Sequence, residues 1–264
     1  MNILYVGDVM AEAGLQVVEQ VLPQLRQDRQ IDLVIAQAEN VSDGKGITVP
    51  DFQRLRKAGV DFCTGGNWSL YREEIIPAMK DAAQPLIRPA NYPEGTPGRG
   101  WKYADTSGGK VLIISLMGKI IGRDADKPTD NPLRVVDRIL ADQEHVEKAG
   151  VVVNLHGDIS SEKVIIGHYL DGRATLVVGD HWHVPTADAR VLPEGTAHIS
   201  DVGMCGVLDA SLGVKFESVI PRWRDEVQTR NAFETSGPRQ FNGVLVASNE
   251  AGLAKSIEQI RKIL

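Results

Sequence analysis

Six short runs of apolar residues, many of them β-branched, recur along the first two-thirds of the chain and constrain its fold more than any other feature. They predict buried strands at Ile3–Val6, Leu33–Gln37, Asp61–Thr64, Val111–Leu116, Val151–Leu155 and Ala174–Val178. Between them, helical spacing predicts helices at Val17–Arg26, Pro50–Ala58, Arg72–Ala83, Leu133–Gln143 and from Ser160 or Ser161, as the cap, to Leu170. This alternation is typical of an α/β sheet with helices packed on its outside.

The alternation ends near Ala187, beyond which glycines and prolines separate short segments. We expect extended segments at Ala197–Asp201 and Gly243–Ala247, and a terminal amphipathic helix at Leu253–Leu264. No stretch has the composition of a linker, a repeat or a low-complexity tract. We therefore predict a single layered domain over residues 1–264.

Charge and composition exclude several classes of function. The 264 residues carry a formal net charge of −6, so no overall positive field attracts nucleic acid, and a phosphate substrate must be held locally. The two cysteines provide no disulfide framework, and Cys63 lies in a predicted strand, where we expect a buried apolar residue. The sequence shows no signal-peptide pattern and no apolar run of about 18 residues. We expect a cytoplasmic protein without a membrane span.

Polar side chains follow five of the predicted strands, at the point where each strand ends. They are Asp8, Glu39, Asn40, Asn67, His156, His181 and His183. Taken singly, each is most often a helix cap, a turn residue or a satisfied polar group. Ligands of open α/β sheets bind beyond the carboxyl ends of strands, and His181 and His183 can both face one site if their backbone is irregular. Together these oxygen and nitrogen donors suit manganese, iron or zinc.

A loop dense in proline and glycine, residues 88–100, follows the third helix. Such a composition indicates a fixed irregular path, and it favours a structural surface loop. The alternative is a wall of the functional site, in which Asn91 or an arginine contacts an anionic substrate.

The residues at the strand ends also carry a resemblance to a known family. Gly7-Asp8, Glu39-Asn40, Gly66-Asn67, His156 and His181-Trp182-His183 resemble the motifs of the calcineurin-like metallophosphoesterases. More narrowly, the segments Ile87–Gly98, Ser161–Lys163, Asp171–Ala174, His183–Asp188 and Asp201–Met204 resemble the YmdB family of bacterial metallophosphoesterases. The resemblance runs from Asn2 to about Gly213.

The resemblance implies a four-layer α/β/β/α sandwich with two divalent metal ions, iron or manganese before zinc. Glu39 would bridge the metals; Asp8, Asn40 and His183 would complete one site; Asn67, His156 and His181 would complete the other. A metal-activated hydroxide would hydrolyse phosphodiesters, including cyclic nucleotides. The expected partner is thus a small phosphoester or nucleotide, and an assembly of identical chains would be unsurprising for this family.

The sequence departs from the family directly after the metal-binding asparagine, where the family has a histidine and this chain has Trp68. That histidine is thought to protonate the leaving oxygen, which an indole cannot do, because its N–H does not ionise. Losing a general acid typically costs about 10²- to 10⁴-fold in rate. Trp68 can still donate a hydrogen bond to phosphate or stack on a base.

Two smaller departures surround the site. Asp158 stands where the family has glutamate, and the family's His-Thr-His core appears as His181-Trp182-His183, preceded by Asp180. Each of the two aspartates is either a helix-cap or turn residue, a partner that orients a ligand histidine, or a substitute acid with a raised pKa.

Three hypotheses follow from the sequence. The first is a dinuclear phosphodiesterase or phosphatase with altered or reduced catalysis. The second is a metal-bound regulatory or nucleotide-binding protein without turnover, and Trp68 is the residue that separates the two. The third, a structural α/β protein with a chance polar edge, is disfavoured because every metal ligand of the family is present.

Overall fold

The computed structural model describes residues 1–122 and 124–264. Its strands, in chain order, are β1 (Asn2–Val6), β2 (Asp8–Val9), β3 (Leu33–Gln37), β4 (Phe62–Thr64), β5 (Trp101–Thr106), β6 (Gly109–Met117), β7 (Gly150–His156), β8 (Leu176–Asp180), β9 (Arg190–Val191), β10 (Ala197–Ile199), β11 (Met204–Val207), β12 (Arg239–Ser248) and β13 (Ala254–Ile263). Its α-helices are α1 (Ala11–Asp28), α2 (Val49–Ala58), α3 (Ile76–Lys80), α4 (Pro132–Asp142), α5 (Ser160–Tyr169) and α6 (Phe216–Arg224). A short 3₁₀ helix, Glu73–Ile75, precedes α3.

The strands form two mixed sheets rather than one. The first has the order β2-β11-β12-β1-β3-β4, and β13 pairs with β12. The second has the order β5-β6-β7-β8-β10-β9. The pairs β1–β3 and β3–β4 are parallel in the first sheet, as are β6–β7 and β7–β8 in the second, so within each sheet these strands end at the same edge.

Three clusters of buried side chains show how the layers stack. The middle cluster joins the two sheets face to face, for example through Tyr5 of β1 and Val152 of β7. A second cluster lies between the first sheet and the helices α1 and α2, and a third lies between the second sheet and the helices α4 and α5. The order is therefore helix, sheet, sheet, helix, which confirms the expected four-layer sandwich.

The predicted terminal helix is wrong, because residues 254–263 form β13. This strand pairs with β12 over its whole length, in antiparallel register from Ser248 opposite Ala254 to Gln240 opposite Ile263. Ile257 and Ile260 are spaced by three, which resembles a helical stripe, but most of their neighbours are exposed on an edge strand. Pairing with β12 outweighs the local helical preference, as tertiary contacts often do.

Other differences from the sequence prediction lie in shorter elements. The helix expected at Arg72–Ala83 is reduced to the 3₁₀ turn and α3, and Ser160 is the first residue of α5 rather than its cap. The strand β5 and the helix α6 were not predicted. Among the described residues, no helix has both the length and the apolar character needed to cross a bilayer.

Candidate metal centre

The strand ends bring the predicted ligands together at the interface of the two sheets. Two glycines permit this close approach. A Cβ on Gly7 would lie 2.1 Å from the carbonyl oxygen of Gly203, and a Cβ on Gly66 would lie 2.3 Å from Cδ2 of His156. Side chains at these two positions would push apart the segments that carry Asp8 and Asn67.

His156, at the end of β7, lies at the middle of this group and is fully buried. Its Nε2 is 2.9 Å from Oδ1 of Asn67, to which it hydrogen bonds, and 2.9 Å from Oε1 of Glu39. On the other side of the ring, Nδ1 is 2.7 Å from Oδ1 of Asp180. Glu39 and Asp180 raise the pKa of His156 well above its ordinary value, against the opposing effect of burial. Nε2 therefore faces two oxygens at close range, and either a proton or a cation must lie between the nitrogen and these oxygens.

Asp180 holds the His156 ring in this orientation. Its second oxygen, Oδ2, accepts three buried hydrogen bonds, from Tyr5 Oη at 2.9 Å, Gln37 Nε2 at 2.9 Å and Asn154 Nδ2 at 2.6 Å. Although burial raises the pKa of Asp180, the neighbouring His156 brings it below its ordinary value. Asp180 lies close enough to Asp8 and His156 to form a possible metal triad. Because donors already occupy both its oxygens, we assign it to orienting His156, which is the partner role weighed from the sequence.

His181 and His183 follow β8 on an irregular backbone, as the sequence argument required. Their φ angles are +98° and +64°, in a region that residues other than glycine rarely adopt and that clusters at functional sites. The His181 ring centroid is 4.4 Å from that of His156, and His183 Nε2 is 3.7 Å from Oδ1 of Asp8. Possible ligand atoms of Glu39, His156 and His181 all lie within 4.8 Å of one another.

A buried ion pair supports this histidine loop. Nζ of Lys163 donates to Oδ2 of Asp201 at 2.8 Å and to the backbone oxygen of Asp180 at 2.6 Å. The same Asp201 oxygen accepts from the backbone N–H of Trp182, whose ring centroid is 3.8 Å from Lys163 Nζ. The loop is thus fixed at the residue between the two histidines. Lys163 and Asp201 lie in segments that carry the family resemblance, but no role was predicted for them.

The buried polar atoms that lack hydrogen bonds test whether the residues fit a metal. Among the described residues they are Asp8 Oδ1, Glu39 Oε1, Asn40 Oδ1, His183 Nδ1 and His198 Nε2. All but the last belong to the predicted ligand set. A buried acceptor without a partner is costly, and a cation supplies the missing interaction. Burial also lowers the pKa of His183 to about 4, which keeps the imidazole in its neutral, metal-binding form.

Hydrogen bonds determine which atom of each asparagine is left available to a metal. The amide of Asn67 donates to Oδ2 of Asp124 at 2.8 Å, which leaves Oδ1 facing His156. The amide of Asn40 donates to the backbone oxygen of Gly44 at 3.0 Å, which leaves its Oδ1 without a hydrogen bond. Both asparagines therefore present oxygen, the atom that divalent metals of this class accept. The orienting role of Asp124 was not predicted.

Trp68 lies beside the centre, half-buried. Its backbone N–H donates to Oε2 of Glu39 at 2.9 Å. The carboxylate of Asp158 lies 3.4 Å from Nε2 of His181. Burial acts to raise the pKa of Asp158, but the interaction with His181 lowers it below its ordinary value. The pKa values of Asp158 and Asp180 are both lowered, so neither carboxyl shows the raised pKa that the substitute-acid interpretation required.

Asn91 is fully buried and its amide is occupied by backbone groups. Nδ2 donates to the carbonyls of Met117 at 2.7 Å and Asp130 at 2.9 Å, and Oδ1 accepts from the N–H of Met117 at 2.7 Å. Arg88 similarly donates to carbonyls of its own loop. These contacts agree with the structural interpretation of the loop, and we leave Asn91 out of the proposed substrate site.

Known proteins resemble this chain in both sequence and fold. The family model described as YmdB-like protein matches residues 4–260. The chain belongs to the YmdB-like family. A relative from Bacillus subtilis, named 2',3'-cyclic-nucleotide 2'-phosphodiesterase, is 36% identical over 98% of this chain and 96% of its own length. That relative is a hydrolase, which supports an enzyme role for this YmdB-like chain.

Solved structures match the whole fold. A hypothetical protein from Thermus thermophilus has a TM-score of 0.90 at 36% identity, covering 100% of this chain and 99% of that one. A novel phosphatase from Mycoplasma pneumoniae has a TM-score of 0.91 at 28% identity, covering 100% and 93%. A putative 5'-nucleotidase from Staphylococcus aureus, at 15% identity, shares only the fold, with a TM-score of 0.57 over 100% of this chain and 54% of that one. The YmdB-like chain therefore has the calcineurin-like α/β fold.

Proposed function

We propose that this chain is a metal-dependent phosphoesterase that hydrolyses phosphodiesters, cyclic nucleotides among them, with reduced activity on substrates that have poor leaving groups. One observation carries the proposal. Buried side-chain atoms of four predicted ligands, Asp8, Glu39, Asn40 and His183, have no hydrogen-bond partner, and that of Glu39 lies 2.9 Å from Nε2 of His156. The phosphodiesterase activity named for the Bacillus relative supports the same reaction class.

The oxygen and nitrogen donors suit two divalent ions, iron, manganese or zinc, and the family resemblance favours iron or manganese before zinc. Glu39 would be shared by both ions. Asp8, Asn40 and His183 would hold one, and Asn67, His156 and His181 would hold the other. Bound there, divalent ions lower the pKa of water and neutralise charge on the phosphate.

The protein's own residues set the ligand orientations and the protonation state of the site. Asp180 keeps Nε2 of His156 directed at Glu39 and Asn67, and Trp68 N–H fixes one oxygen of Glu39. The indole of Trp68 offers no ionisable proton to the leaving oxygen at the position where the family has its histidine. An activated aryl oxygen leaves without that proton, so the deficit falls on alkoxide leaving groups.

The test is hydrolysis of bis(p-nitrophenyl) phosphate by purified protein loaded with manganese or iron, with bound metal measured in the same preparation. We expect turnover that His156→Ala abolishes. His145→Ala is the matched control, because His145 is exposed and precedes the opposite end of β7. Full metal occupancy without turnover would overturn the proposal and favour the regulatory or nucleotide-binding alternative.

The cytoplasmic location and the single domain over residues 1–264 stay predictions from the sequence, and an assembly of identical chains stays an expectation from the family resemblance.

A further inference from the structure

An apolar cavity opens directly beside the metal centre. Its volume is about 300 Å³, at the lower end of the range of small-molecule sites. We call it the aromatic cavity; it is lined by Asn67, Trp68, Leu70, Tyr71, Tyr92, Pro93, Thr96, Lys127 and Pro128. Three aromatic side chains and two prolines line this small cavity, and binding of a phosphate group does not require so much apolar surface.

Two residues join the aromatic cavity to the metal centre. Asn67 belongs to both, since its Oδ1 faces His156 while the residue lines the cavity. Trp68 lines the cavity and donates its backbone N–H to Glu39. The cavity therefore adjoins the metal centre, and one small molecule could place its phosphate at the centre and a second group in the cavity.

The aromatic rings of the cavity are held in place. The rings of Tyr71 and Trp68 form a T-shaped contact, with an interplanar angle of 88° and centroids 5.3 Å apart. The hydroxyl of Tyr92 donates to the backbone oxygen of Gly66 at 3.1 Å, next to Asn67. Nζ of Lys45 and Lys127 lie 4.6 Å and 5.5 Å from the Trp68 centroid. Both ammonium groups thus lie over the ring, and Lys127, which also lines the cavity, pairs with Asp124 at 3.0 Å.

We propose that the aromatic cavity is a nucleobase subsite, in which Trp68 is the stacking platform for the base of a nucleotide substrate. The inference rests on the proposed phosphoesterase function and names the cavity and the residue that would hold the base of a nucleotide substrate. Each stacked base contributes about 5- to 150-fold in affinity and does so with little sequence preference, because every base has a π-face. At this position the family histidine is thought to act as an acid, whereas Trp68 binds the base.

The experiment is calorimetric titration of manganese-loaded protein with adenosine 5'-monophosphate and with ribose 5-phosphate. These probes share sugar and phosphate and differ by the base. We expect the nucleotide to bind at least about tenfold more tightly than the sugar phosphate. Trp68→Leu should remove most of this ratio, and Trp68→Tyr should keep most of it, because an aromatic face remains. Trp223→Leu is the control, since that indole is 82% exposed on α6 and outside the aromatic cavity.

Equal affinity for the two probes in the wild-type protein, absence of nucleotide binding, or an unchanged ratio in Trp68→Leu would each overturn the subsite. Tyr92→Leu gives a second variant that should also lower the ratio. The proposed function is judged separately, by metal content and hydrolysis of the aryl diester. A preparation that hydrolyses the diester but shows no nucleotide preference retains the phosphoesterase and refutes only the subsite.

Discussion

Replacement of Asp180 by asparagine tests how the second layer of residues controls metal binding. In the wild-type protein one carboxylate oxygen accepts from His156 Nδ1 and the other from three donors, on Tyr5, Gln37 and Asn154. An asparagine has only one acceptor oxygen. If it faces the three donors, its NH₂ faces Nδ1, which must then be the unprotonated nitrogen. The ring proton moves to Nε2, the atom that faces the metal site.

The size of the effect follows from this tautomer change. Removing an outer partner of a metal-bound histidine typically lowers metal affinity by about 10- to 100-fold, or about 1.4 to 2.8 kcal/mol. If the asparagine rotates instead, its NH₂ opposes three donors in a buried site, and the cost appears as stability. Asp180→Asn should therefore weaken metal binding by at least about tenfold, or unfold at clearly lower temperature.

Metal affinity is measured by calorimetric titration of metal-free protein with manganese. Stability is measured from a thermal unfolding curve. Asp188→Asn is the matched control, because Asp188 also accepts several hydrogen bonds, from Thr186 and Ser200, but is not among the residues of the metal centre. We expect wild-type metal affinity in the control. Wild-type affinity and wild-type stability together in Asp180→Asn would refute the orienting role.

Further predictions follow from the same geometry. Trp68→His should raise hydrolysis of an alkyl phosphodiester more than that of an aryl one, because only the alkoxide needs an acid; equal gains on both would refute the leaving-group explanation. Lys163→Met leaves the buried carboxylate of Asp201 without its cation, which should cost about 3–5 kcal/mol and lower the Tm by about 6–20 °C; an unchanged melting curve would contradict it. Chelation of metal from loaded protein should remove about 4 kcal/mol of stability if metal was present at about 1,000 times its Kd, and an identical Tm before and after would count against a folded-state metal site.

The strand ends could be predicted from the sequence because each buried parallel strand is marked by a local run of apolar residues. The runs before Asp8, Glu39 and His156 are buried and apolar. Parallel pairing of β1 with β3 brings the first two strand ends together, whereas His156 comes from the second sheet, which packs face to face on the first. The partners that orient the ligands are not encoded in this way. Asp124 is 57 residues from Asn67, and Lys163 is 38 residues from Asp201, so only the folded chain shows that they meet.

The terminal strand is a second case in which a contact distant in sequence decided the structure. The spacing of Ile257 and Ile260 favours a helix when the segment is read alone. Whether it forms a strand depends on β12, whose backbone offers a pairing edge. Local periodicity does not describe that edge, so the prediction failed where a non-local partner decided the structure.

The most direct test of the metal centre is anomalous diffraction from crystals grown with iron or manganese, measured at the edge of each metal. We predict two peaks about 3.5–4 Å apart, with Glu39 between them and His156 and His183 on different ions. Crystals of metal-saturated protein with no peak within bonding distance of Glu39 or His156 would contradict the account.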